Sequence, residues 1–412
     1  VLMDTKICIP VMGKTKEKLI NQVEKVIKMN PDLMEVRADY LEDISEKSLL
    51  NILKEVKEKA YNIPVIFTFR TKTEGGEKDI SYDEYLAFCE VGADICDYID
   101  IEMMHFIDNV KELVQAVHQK GKKVIGSNHH FNKTPSNDDI ENMMKLMEKA
   151  GADVCKIAVM PNQKKDVERF INISAKLNNE ISVPIITMSM GELGAVTRIC
   201  TNQTGSAVTF AAGVDASAPG QINIEVLREL LKANKHCSLN GNIALIGFMG
   251  TGKTTVSKAL AEITGLHEID VDQYIVETQG MTISDIFEKY GEARFREIET
   301  EALKTVSKNS GQIISCGGGA VLKDENVDIL KENGKIVLLT ATPETIFDRV
   351  KDHTHRPILN SDMSLKHVKE LMTQREPRYQ SVADIKVNVD SNDRVLTCYN
   401  ILKELKEMGQ IE

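Results

Sequence analysis

The 412-residue sequence has no tryptophan, and aromatic residues make up only 5% of it. It has no apolar run of about 18 residues, which argues against an ordinary transmembrane helix, and it does not begin with a basic segment followed by an apolar one. Its eight cysteines lie far apart, with no C-x-x-C pair and no His/Cys spacing suited to zinc. We therefore expect a soluble, cytoplasmic protein with reduced, mostly buried thiols.

An excess of positive charge is also missing, because the formal net charge is −11 at pH 7. Such a chain is poorly suited to nucleic acid, and any attraction for anionic substrates has to come from local arginines. The hydrophobic fraction of 42% is typical of a globular protein. A chain of this length exceeds one ordinary core, which predicts two or three domains.

The first half contains eight apolar, β-rich segments that alternate with amphipathic helical patterns. The predicted strands span residues 6–11, 33–38, 64–70, 98–103, 122–129, 152–160, 184–190 and 207–212. Eight strand–helix units in about 235 residues are typical of a (β/α)8 TIM barrel. The alternative is a doubly wound open α/β sheet.

Strand alternation places a polar set of side chains on one face of these strands. Successive residues of a strand point to opposite faces, so Lys156 opposes Cys155 and Ile157. The same reasoning groups seven charged or titratable residues on one face: Glu35, Arg37, Arg70, Asp100, Glu102, His129 and Lys156. Barrel interiors are normally filled by Val, Ile and Leu, and active sites lie at the carboxyl mouth. We predict a polar small-molecule site there; the alternative is that inward ion pairs, such as Glu35 with Arg37 and Arg70, are purely structural.

Lys156 indicates which class of reaction the predicted site could catalyse. Burying an unpaired ammonium is costly, and a lysine with a lowered pKa can attack a carbonyl and form a Schiff base. His129 suits proton transfer near neutral pH, and a carboxylate such as Glu74 can hold its tautomer. The combination suggests an imine-forming aldolase or dehydratase. The alternative is that Lys156 stays charged and pairs with Glu35 or Glu102.

Several ordered motifs in residues 5–235 resemble type I 3-dehydroquinate dehydratase. They are EVRAD, FTFRTKTEGGE, SNHHFNKTP, CKIAVM, TMSMGELGAVTR, GSAVTFA and ASAPGQI. The resemblance implies that Lys156 forms an imine with the C3 ketone of 3-dehydroquinate, without an added cofactor. It implies that His129 removes the C2 proton and helps the C1 hydroxyl leave, and that Glu74 orients His129. The implied substrate-binding residues are Glu35, Arg37, Arg70, Met188, Arg198, Phe210, Ser217 and Gln221, with Arg198 on the carboxylate and Met188 and Phe210 as apolar walls.

Two positions depart from this family pattern. His130 stands where the family usually has aspartate after the catalytic histidine, and Pro10 stands where it often has serine near the end of the first strand. His130 has the opposite strand parity to His129, so we do not expect it to share that role. Neither departure removes a catalytic group.

A phosphate-binding loop opens the second half. An apolar strand, a glycine-rich turn and an amphipathic helix follow one another, and Gly247 to Thr254 matches G-x-x-x-x-G-K-[ST] in that context. Backbone N–H groups and the helix N-terminus can cradle phosphates there. Lys253 is expected to reach the β- and γ-phosphates, and Thr254 is expected to bind Mg²⁺.

The rest of this half suits a small P-loop, nucleoside-monophosphate-kinase-like, three-layer α/β domain. Further strands are predicted at 267–269, 312–315, 335–339 and 384–389. The segments GFMGTGKTT, IDVD, FREIE, CGGGA, RPIL and REPRY together resemble shikimate kinase over residues 242–406, although the glycine triplet by itself is equally consistent with an ordinary turn.

The second resemblance implies three sets of site residues. The shikimate-binding set is Asp272, Arg296, Gly317, Gly318, Gly319 and Arg375, with Arg296 and Arg375 on the carboxylate and Asp272 orienting or deprotonating the 3-hydroxyl. The ATP-binding set is Gly250, Thr251, Gly252, Lys253, Thr254, Thr255, Arg349 and Arg356, with Arg349 on adenine and Arg356 on the transferring phosphoryl group. The implied Mg²⁺ ligands are Thr254 and Asp270, directly or through water.

The whole sequence predicts a bifunctional shikimate-pathway enzyme, with a dehydratase barrel over residues 1–236, a linker over 237–241 and a kinase over 242–412. The expected partners are the small molecules 3-dehydroquinate, shikimate and ATP, with Mg²⁺ needed only by the kinase. A homodimer through the barrel is expected, since barrels of this family commonly dimerise. The alternatives are a Schiff-base aldolase joined to another small-metabolite kinase, and a non-enzymatic sensor of pathway metabolites.

Overall fold

The computed structural model describes residues 4–214, 219–351 and 364–411. By its internal contacts the chain divides into two compact units, Val1–Leu231 and Lys232–Glu412. Each unit contains one parallel sheet with helices packed around it. Residues 236–241 carry no helix or strand beyond a single bridge from Leu239 to Ile411.

The first unit is built on strands that pair in sequence order around a curled, parallel sheet. They are β1 (Lys6–Val11), β2 (Leu33–Arg37), β3 (Val65–Thr68), β4 (Tyr98–Glu102), β5 (Lys123–His130), β6 (Val154–Val159), β7 (Ile185–Ser189), β8 (Val208–Ala212) and the two-residue β9 (Ile222–Asn223). β1 pairs with both β2 and β8, and a bridge between Ile185 and Ser206 joins β7 to the segment before β8. The predicted parallel barrel is confirmed, and the open doubly wound sheet is wrong for this unit.

Amphipathic helices connect these strands. They are α1 (Lys16–Lys28), α2 (Glu46–Ala60), α3 (Tyr82–Ile95), α4 (Val110–Gln119), α5 (Asn137–Lys149), α6 (Lys164–Glu180), α7 (Gly191–Gly194), α8 (Thr201–Thr204) and α9 (Ile224–Lys235). Hydroxyl caps fix where α1, α2, α3 and α5 begin, because Thr15, Ser45, Ser81 and Ser136 each accept a backbone N–H three residues later.

The interior of the barrel changes from apolar to polar along its strands. Leu33, Ile66, Ile125 and Ile186 belong to one buried apolar cluster near the amino ends of their strands. Two residues further along β2, β3 and β5, the buried side chains are polar: Glu35, Thr68 and Ser127. In β6 the buried Lys156 likewise comes two residues after Val154, which packs against the same cluster. Because side chains alternate along a strand, this polar layer lies on the carboxyl side of the apolar floor, where barrel active sites are found.

The second unit has a five-stranded parallel sheet in the order β11–β12–β10–β13–β14. Its strands are β10 (Asn242–Ile246), β11 (His267–Asp270), β12 (Gln312–Ser315), β13 (Gly334–Thr340) and β14 (Ile385–Asn388). Its helices are α10 (Lys253–Thr264), α11 (Val271–Gln279), α12 (Ile283–Val306), α13 (Asp324–Glu332), α14 (Pro343–Val350), α15 (Leu365–Val382) and α16 (Arg394–Glu407). α12 is kinked at Gly291, whose φ of 78° is non-helical.

This strand order brings three predicted ligand-binding segments to one edge of the sheet. The phosphate loop follows the central strand β10, the glycine triplet follows β12, and Asp270 ends β11. Ligands of parallel α/β sheets bind outside the carboxyl ends of the strands. No helix within the described ranges has the length and apolar character needed to cross a bilayer.

Candidate active sites

A cavity of about 500 Å³ lies in the first unit, and Gly75 and Phe131, which follow β3 and β5, form part of its wall. Its lining includes ten of the eleven residues predicted for the dehydratase site: Lys156, His129, Glu74, Glu35, Arg37, Arg70, Met188, Arg198, Phe210 and Gln221. The eleventh, Ser217, lies outside the described residues. The fold therefore brings together side chains that come from most of the barrel strands.

Lys156 is buried among carboxylates. Its Nζ donates to Asp100 Oδ2 at 3.0 Å and lies 3.6 Å from Glu35 Oε1. The same atom lies 4.6 Å from the centre of the Phe210 ring. Of the two partners considered from the sequence, Glu35 is right, whereas Glu102 is wrong because its carboxylate bonds Arg70 instead.

Arg70 organises the charges next to Lys156. Its Nη2 donates to Asp100 Oδ1 at 2.9 Å, and its Nη1 donates to Glu102 Oε1 at 3.2 Å and to Ser127 Oγ at 3.0 Å. Burial opposes ionisation of Asp100, but the charges of Arg70 and Lys156 hold its pKa below the usual value. Asp100 is therefore an ionised carboxylate shared by two cations.

Glu74 bonds two neighbouring residues of β5 with its two oxygens. Its Oε2 lies 2.9 Å from His129 Nδ1, and its Oε1 accepts from Asn128 Nδ2 at 2.9 Å. This arrangement fixes the ring of His129 from one side. It leaves Nε2 as the nitrogen that can exchange a proton with a ligand.

The pKa of His129 is lowered well below its ordinary value of 6.5. Burial is the largest cause, and it is reinforced by nearby positive charges on Arg70, Lys156, Arg37 and His130. In Glu74 burial and the charge of Glu102 raise the pKa, against the opposing effects of Arg70 and the Asn128 hydrogen bond. The imidazole of His129 is accordingly neutral at pH 7 and able to act as a base.

Arg198 is a buried cation without a carboxylate partner in the described part of the chain. Its Nη1 donates to Phe210 O at 3.3 Å and its Nη2 donates to Pro219 O at 3.2 Å, whereas its buried Nε has no acceptor among the described residues. Burial lowers its pKa to about 10, so it remains charged at neutral pH. An uncompensated buried guanidinium facing a cavity fits an anionic ligand.

The two departures from the family pattern fall on different parts of the barrel. His130 is half-buried, and its Nε2 has no hydrogen-bond partner within the described ranges. Burial and the charge of Lys133 lower its pKa. Pro10 pairs in register with Glu35 on β2, and neither Pro10 nor His130 lines the cavity.

In the second unit the phosphate loop leads into α10, which begins at Lys253 after Gly252 at φ 85°. Lys253 Nζ donates to the carbonyl oxygens of Gly247 and Phe248 at 2.8 and 3.1 Å. The Gly250 position has no room for a side chain, since a Cβ there would lie 2.7 Å from Val350 Cγ1. The loop is thus a compact turn with its lysine folded over it, and Thr251 and Thr255 lie in the same turn and the first helical residues.

Thr254 and Asp270 meet at the end of β11. Thr254 Oγ1 donates to Asp270 Oδ2 at 2.8 Å, while Asp270 Oδ1 accepts from Gln273 N at 3.1 Å and so caps α11. Hydroxyl and carboxylate oxygens are hard ligands that suit Mg²⁺. The described residues offer no cluster of three or more His, Cys, Asp or Glu side chains for a metal.

The glycine triplet comes within contact of the predicted shikimate-binding residues. A Cβ at Gly317 would lie 3.0 Å from Asp272 Oδ1, and a Cβ at Gly319 would lie 2.4 Å from Arg296 Nη2. Arg296 is held by Glu299, whose Oε2 accepts from its Nη1 at 2.7 Å. Two positions of the triplet thus lie directly against side chains of the predicted site, Asp272 and Arg296.

Three arginines complete the predicted kinase site. Arg375 Cζ lies 5.9 Å from the ring of Phe248 in the phosphate loop. Arg349 donates to Gly250 O at 3.3 Å and to Val389 O at 2.7 Å. Arg356 lies outside the described residues.

Two family models match the chain in separate ranges. The type I 3-dehydroquinase model matches residues 7–237, which is more than half of the chain. The chain belongs to the type I 3-dehydroquinase family. The shikimate kinase model matches residues 249–406. This dehydroquinase is therefore fused to a shikimate kinase, and the chain is a bifunctional shikimate-pathway enzyme whose kinase half uses ATP.

The dehydroquinase half of this chain matches several relatives over nearly their whole length. A 3-dehydroquinate dehydratase from Clostridioides difficile is 38% identical over 239 residues, or 57% of this chain and 93% of that protein. One from Klebsiella pneumoniae is 38% identical over 232 residues, or 55% of this chain and 92% of that protein. The crystal structure of 3-dehydroquinate dehydratase from Geobacillus kaustophilus matches with a TM-score of 0.55 and 33% identity, over 56% of this chain and 91% of that chain.

The dehydroquinase site also includes residues that sequence reasoning did not single out. Asp39 is fully buried, and it binds Arg37 through two hydrogen bonds of 2.8 Å, from Nε and from Nη2. Arg37 thus pairs with Asp39 and not with Glu35. Asp39 follows Arg37 in the EVRAD motif, and its polar character directly after a buried strand was the available signal. For Asn128 no such signal existed, because strand parity puts it opposite His129.

Proposed function

We propose that the barrel unit converts 3-dehydroquinate to 3-dehydroshikimate through an imine on Lys156. Lys156 passes one ammonium proton to the ketone oxygen as its amine attacks C3, and that oxygen then leaves as water with a second proton from the nitrogen, which gives an iminium ion. Asp100 and Glu35 hold the ammonium of Lys156 before the attack, and their negative charge favours the iminium after it. The proposal rests mainly on one feature, a buried lysine and a neutral histidine that line the same cavity.

His129 is the proposed acid–base group. Its neutral imidazole removes the C2 proton, which the neighbouring iminium makes acidic because the electrons left behind flow into the C=N bond. Glu74 keeps the hydrogen of His129 on Nδ1, so Nε2 takes the proton. The protonated ring then gives this proton to the C1 hydroxyl, which leaves as water, and hydrolysis of the imine frees the product and Lys156.

The substrate carboxylate is assigned to Arg198, because this buried guanidinium has no carboxylate of its own among the described residues. A charge-assisted pair there provides orientation as well as affinity. The remaining proposed contacts are Glu35, Arg37, Arg70, Ser217 and Gln221 for the polar groups of the substrate, and Met188 and Phe210 for its ring.

For the kinase unit we propose transfer of the γ-phosphoryl group of ATP to the 3-hydroxyl of shikimate. Arg296 and Arg375 bind the shikimate carboxylate. Asp272 orients or deprotonates the attacking hydroxyl. Gly317, Gly318 and Gly319 bring the backbone close to the cyclohexene ring, and a Cβ at Gly317 or Gly319 would press on Asp272 or Arg296.

The nucleotide is held by the phosphate loop, whose proposed contacts are Gly250, Thr251, Gly252, Lys253, Thr254 and Thr255. When ATP binds, the ammonium of Lys253 gives up its hydrogen bonds to the loop carbonyls and donates to the β- and γ-phosphates instead. Thr254 and Asp270 hold Mg²⁺, which neutralises phosphate charge when bound. Arg356 stabilises the transferring phosphoryl group and Arg349 packs on adenine.

The domain boundaries, the oligomeric state and the cellular location are also proposals. We assign the dehydratase to residues 1–236 and the kinase to 242–412, with 237–241 as a linker. We propose a homodimer through the barrel, which a mass measurement in solution tests directly. We propose a cytoplasmic enzyme, in keeping with eight cysteines that are all present as thiols.

Borohydride trapping tests the dehydratase proposal. The full chain is treated with sodium borohydride in the presence of 3-dehydroquinate, and digested peptides are analysed by mass spectrometry. A reduced adduct is expected on Lys156 and on no other lysine, together with loss of activity. Borohydride without substrate is the control and leaves the enzyme active.

Two assays separate the proposal from its rivals. Formation of 3-dehydroshikimate is followed by its ultraviolet absorbance, and ADP release is followed with and without shikimate. Retro-aldol cleavage without loss of water supports the aldolase. Failure of both assays in folded protein supports the sensor and overturns the proposal.

A further inference from the structure

Two side chains of α15 bind the glycine triplet and the segment directly after it, and no step proposed above uses them. Arg378 Nε donates to Val321 O at 2.7 Å, and its Nη2 lies 2.5 Å from Asp324 Oδ1. The hydroxyl of Tyr379 donates to Gly318 O. Arg378 and Tyr379 follow Arg375 by three and four positions, so all three side chains lie on one side of the helix.

The bond from Tyr379 sets the direction of one peptide group. A trans peptide is planar, and its C=O and N–H point in opposite directions. With the Gly318 carbonyl bound to Tyr379, the N–H of Gly319 points away from α15. Gly319 is buried, and within the described part of the chain its N–H makes no hydrogen bond. A buried donor of this kind requires an acceptor from a ligand or from water.

The acceptor that fits this donor is an anion. The guanidinium of Arg296 lies beside Gly319, because a Cβ added there would be 2.4 Å from its Nη2. Arg375 contributes a second guanidinium, and its Nη1 is buried without a partner among the described residues. Two cationic groups and one amide N–H match the oxygens of a carboxylate.

Tyr379 also lies close to Arg375. Burial raises the pKa of Tyr379, and the nearby positive charges of Arg375 and Arg296 oppose that effect. The hydroxyl that donates to Gly318 is therefore next to the guanidinium of Arg375.

We propose that Tyr379 is a positioning residue of the kinase. Its hydroxyl holds the Gly318–Gly319 peptide in one orientation beside Arg375, so that the Gly319 N–H converges with Arg375 and Arg296 on the substrate carboxylate. The inference rests on the proposed kinase function. Tyr379 contacts no reacting atom and acts through the peptide that it binds.

The test compares Tyr379→Phe with Tyr399→Phe in the full chain. Both variants remove one phenol oxygen from the kinase unit, but the Tyr399 hydroxyl makes no hydrogen bond within the described residues. For each variant, kcat/KM is measured with shikimate and with shikimate methyl ester, which lacks the negative charge. The dehydratase rate of the same preparation reports that the chain is intact.

For Tyr379→Phe we expect the KM for shikimate to rise about 3- to 10-fold, the size of one lost hydrogen bond, with a smaller change in kcat. The preference for shikimate over its ester should fall by a similar factor, and Tyr399→Phe should keep the wild-type preference. This ratio does not depend on how much of the enzyme is folded, because both substrates are measured on one preparation.

Two outcomes would overturn the inference, and they differ from each other. If Tyr379→Phe loses activity equally with both substrates, or behaves like Tyr399→Phe, the tyrosine has no part in carboxylate recognition although the kinase function stands. If the wild-type chain shows no shikimate-dependent ADP release, the proposed kinase substrate is wrong and the inference falls with it.

Discussion

At the scale of single residues, the dehydratase cavity contains three cations that bond a buried carboxylate and one cation, Arg198, that bonds none among the described residues. The three are Arg37, Arg70 and Lys156. Within the described ranges, Arg198 bonds carbonyl oxygens and a sulfur atom. A buried charge without a counter-ion is costly, so we expect an anionic substrate to be stabilised at Arg198. Selectivity for anions is expected to depend on this residue more than on the net charge of −11.

The lowered pKa of His129 predicts how the dehydratase responds to acid. The base form of the ring is present above its pKa in the folded protein, which lies well below 6.5. We expect kcat/KM, which reports the ionisation of the free enzyme, to show no loss of the base form of His129 from pH 7.5 through 6.5 and to fall from this cause only at lower pH. An acid limb centred at or above 6.5 in a pH–rate profile would contradict this assignment.

The same shift has a consequence for stability, with the sign set by linkage. Between the folded pKa and 6.5 the unfolded chain binds a proton at His129 that the folded chain does not bind, so the free energy of unfolding decreases as the pH falls through this range. A His129→Asn variant should show a weaker decrease below pH 6.5 in urea titrations. Equal slopes for the two proteins would argue that the ring titrates normally in the folded state.

At the scale of elements, the kinase site is formed where turns follow parallel strands. Asp270 binds two elements at this edge of the sheet: one oxygen caps α11, and the other accepts from Thr254 at the start of α10. The glycine triplet after β12 has a different function. Because glycine has no side chain, Asp272 and Arg296 can lie directly against the main chain of the triplet.

The triplet offers a substitution that acts on Arg296. A Cβ at Gly319 would lie 2.4 Å from Arg296 Nη2. Because the clash is with the end of a flexible side chain, Gly319→Ala should fold but displace Arg296. We expect its KM for shikimate to rise about 10- to 100-fold, as for a lost charge-assisted hydrogen bond.

Lys308→Ala is the control, since this exposed lysine of the kinase unit belongs to no proposed site, and it should keep a near wild-type KM for shikimate. Steady-state kinetics at several ATP concentrations separates this effect from nucleotide binding, for which no change is expected in either variant. Similar KM values for the two alanine variants would show that Arg296 does not bind shikimate beside Gly319.

At the scale of the whole molecule, each proposed site is made from residues of one compact unit. The described lining of the dehydratase cavity lies within the first unit, and the phosphate loop with its described partners lies within the second. Lys156→Ala should therefore abolish dehydration and leave shikimate phosphorylation near the wild-type rate. Lys253→Ala should do the reverse.

Both activities are measured on the same preparations of the full chain, with circular dichroism as the check on folding. Lys176→Ala serves as the control, since this lysine forms only exposed ion pairs on the barrel surface. Loss of both activities in a folded Lys156→Ala or Lys253→Ala protein would contradict the independence of the two sites.

Many residues of the two proposed sites could be predicted from the sequence, because their positions depend on local geometry. Strand alternation has a period of two residues, so the inward position of Lys156 and His129 follows from counting along one strand. The phosphate loop is likewise a contiguous segment whose glycines and lysine act within a few residues. The order of the motifs was enough to identify both families, and the matches to residues 7–237 and 249–406 agree with it.

Tertiary structure alone decided which charges pair. Arg37 bonds Asp39 in the turn after β2 and not Glu35 on its own strand, and Lys156 bonds Asp100 across the barrel. Tyr379 reaches Gly318 across 61 residues of sequence. Such partners are set by register, barrel closure and the path of loops, which bring together groups that no local period relates. The sequence therefore determined the kinds of side chain at each site, and the fold determined which atoms meet.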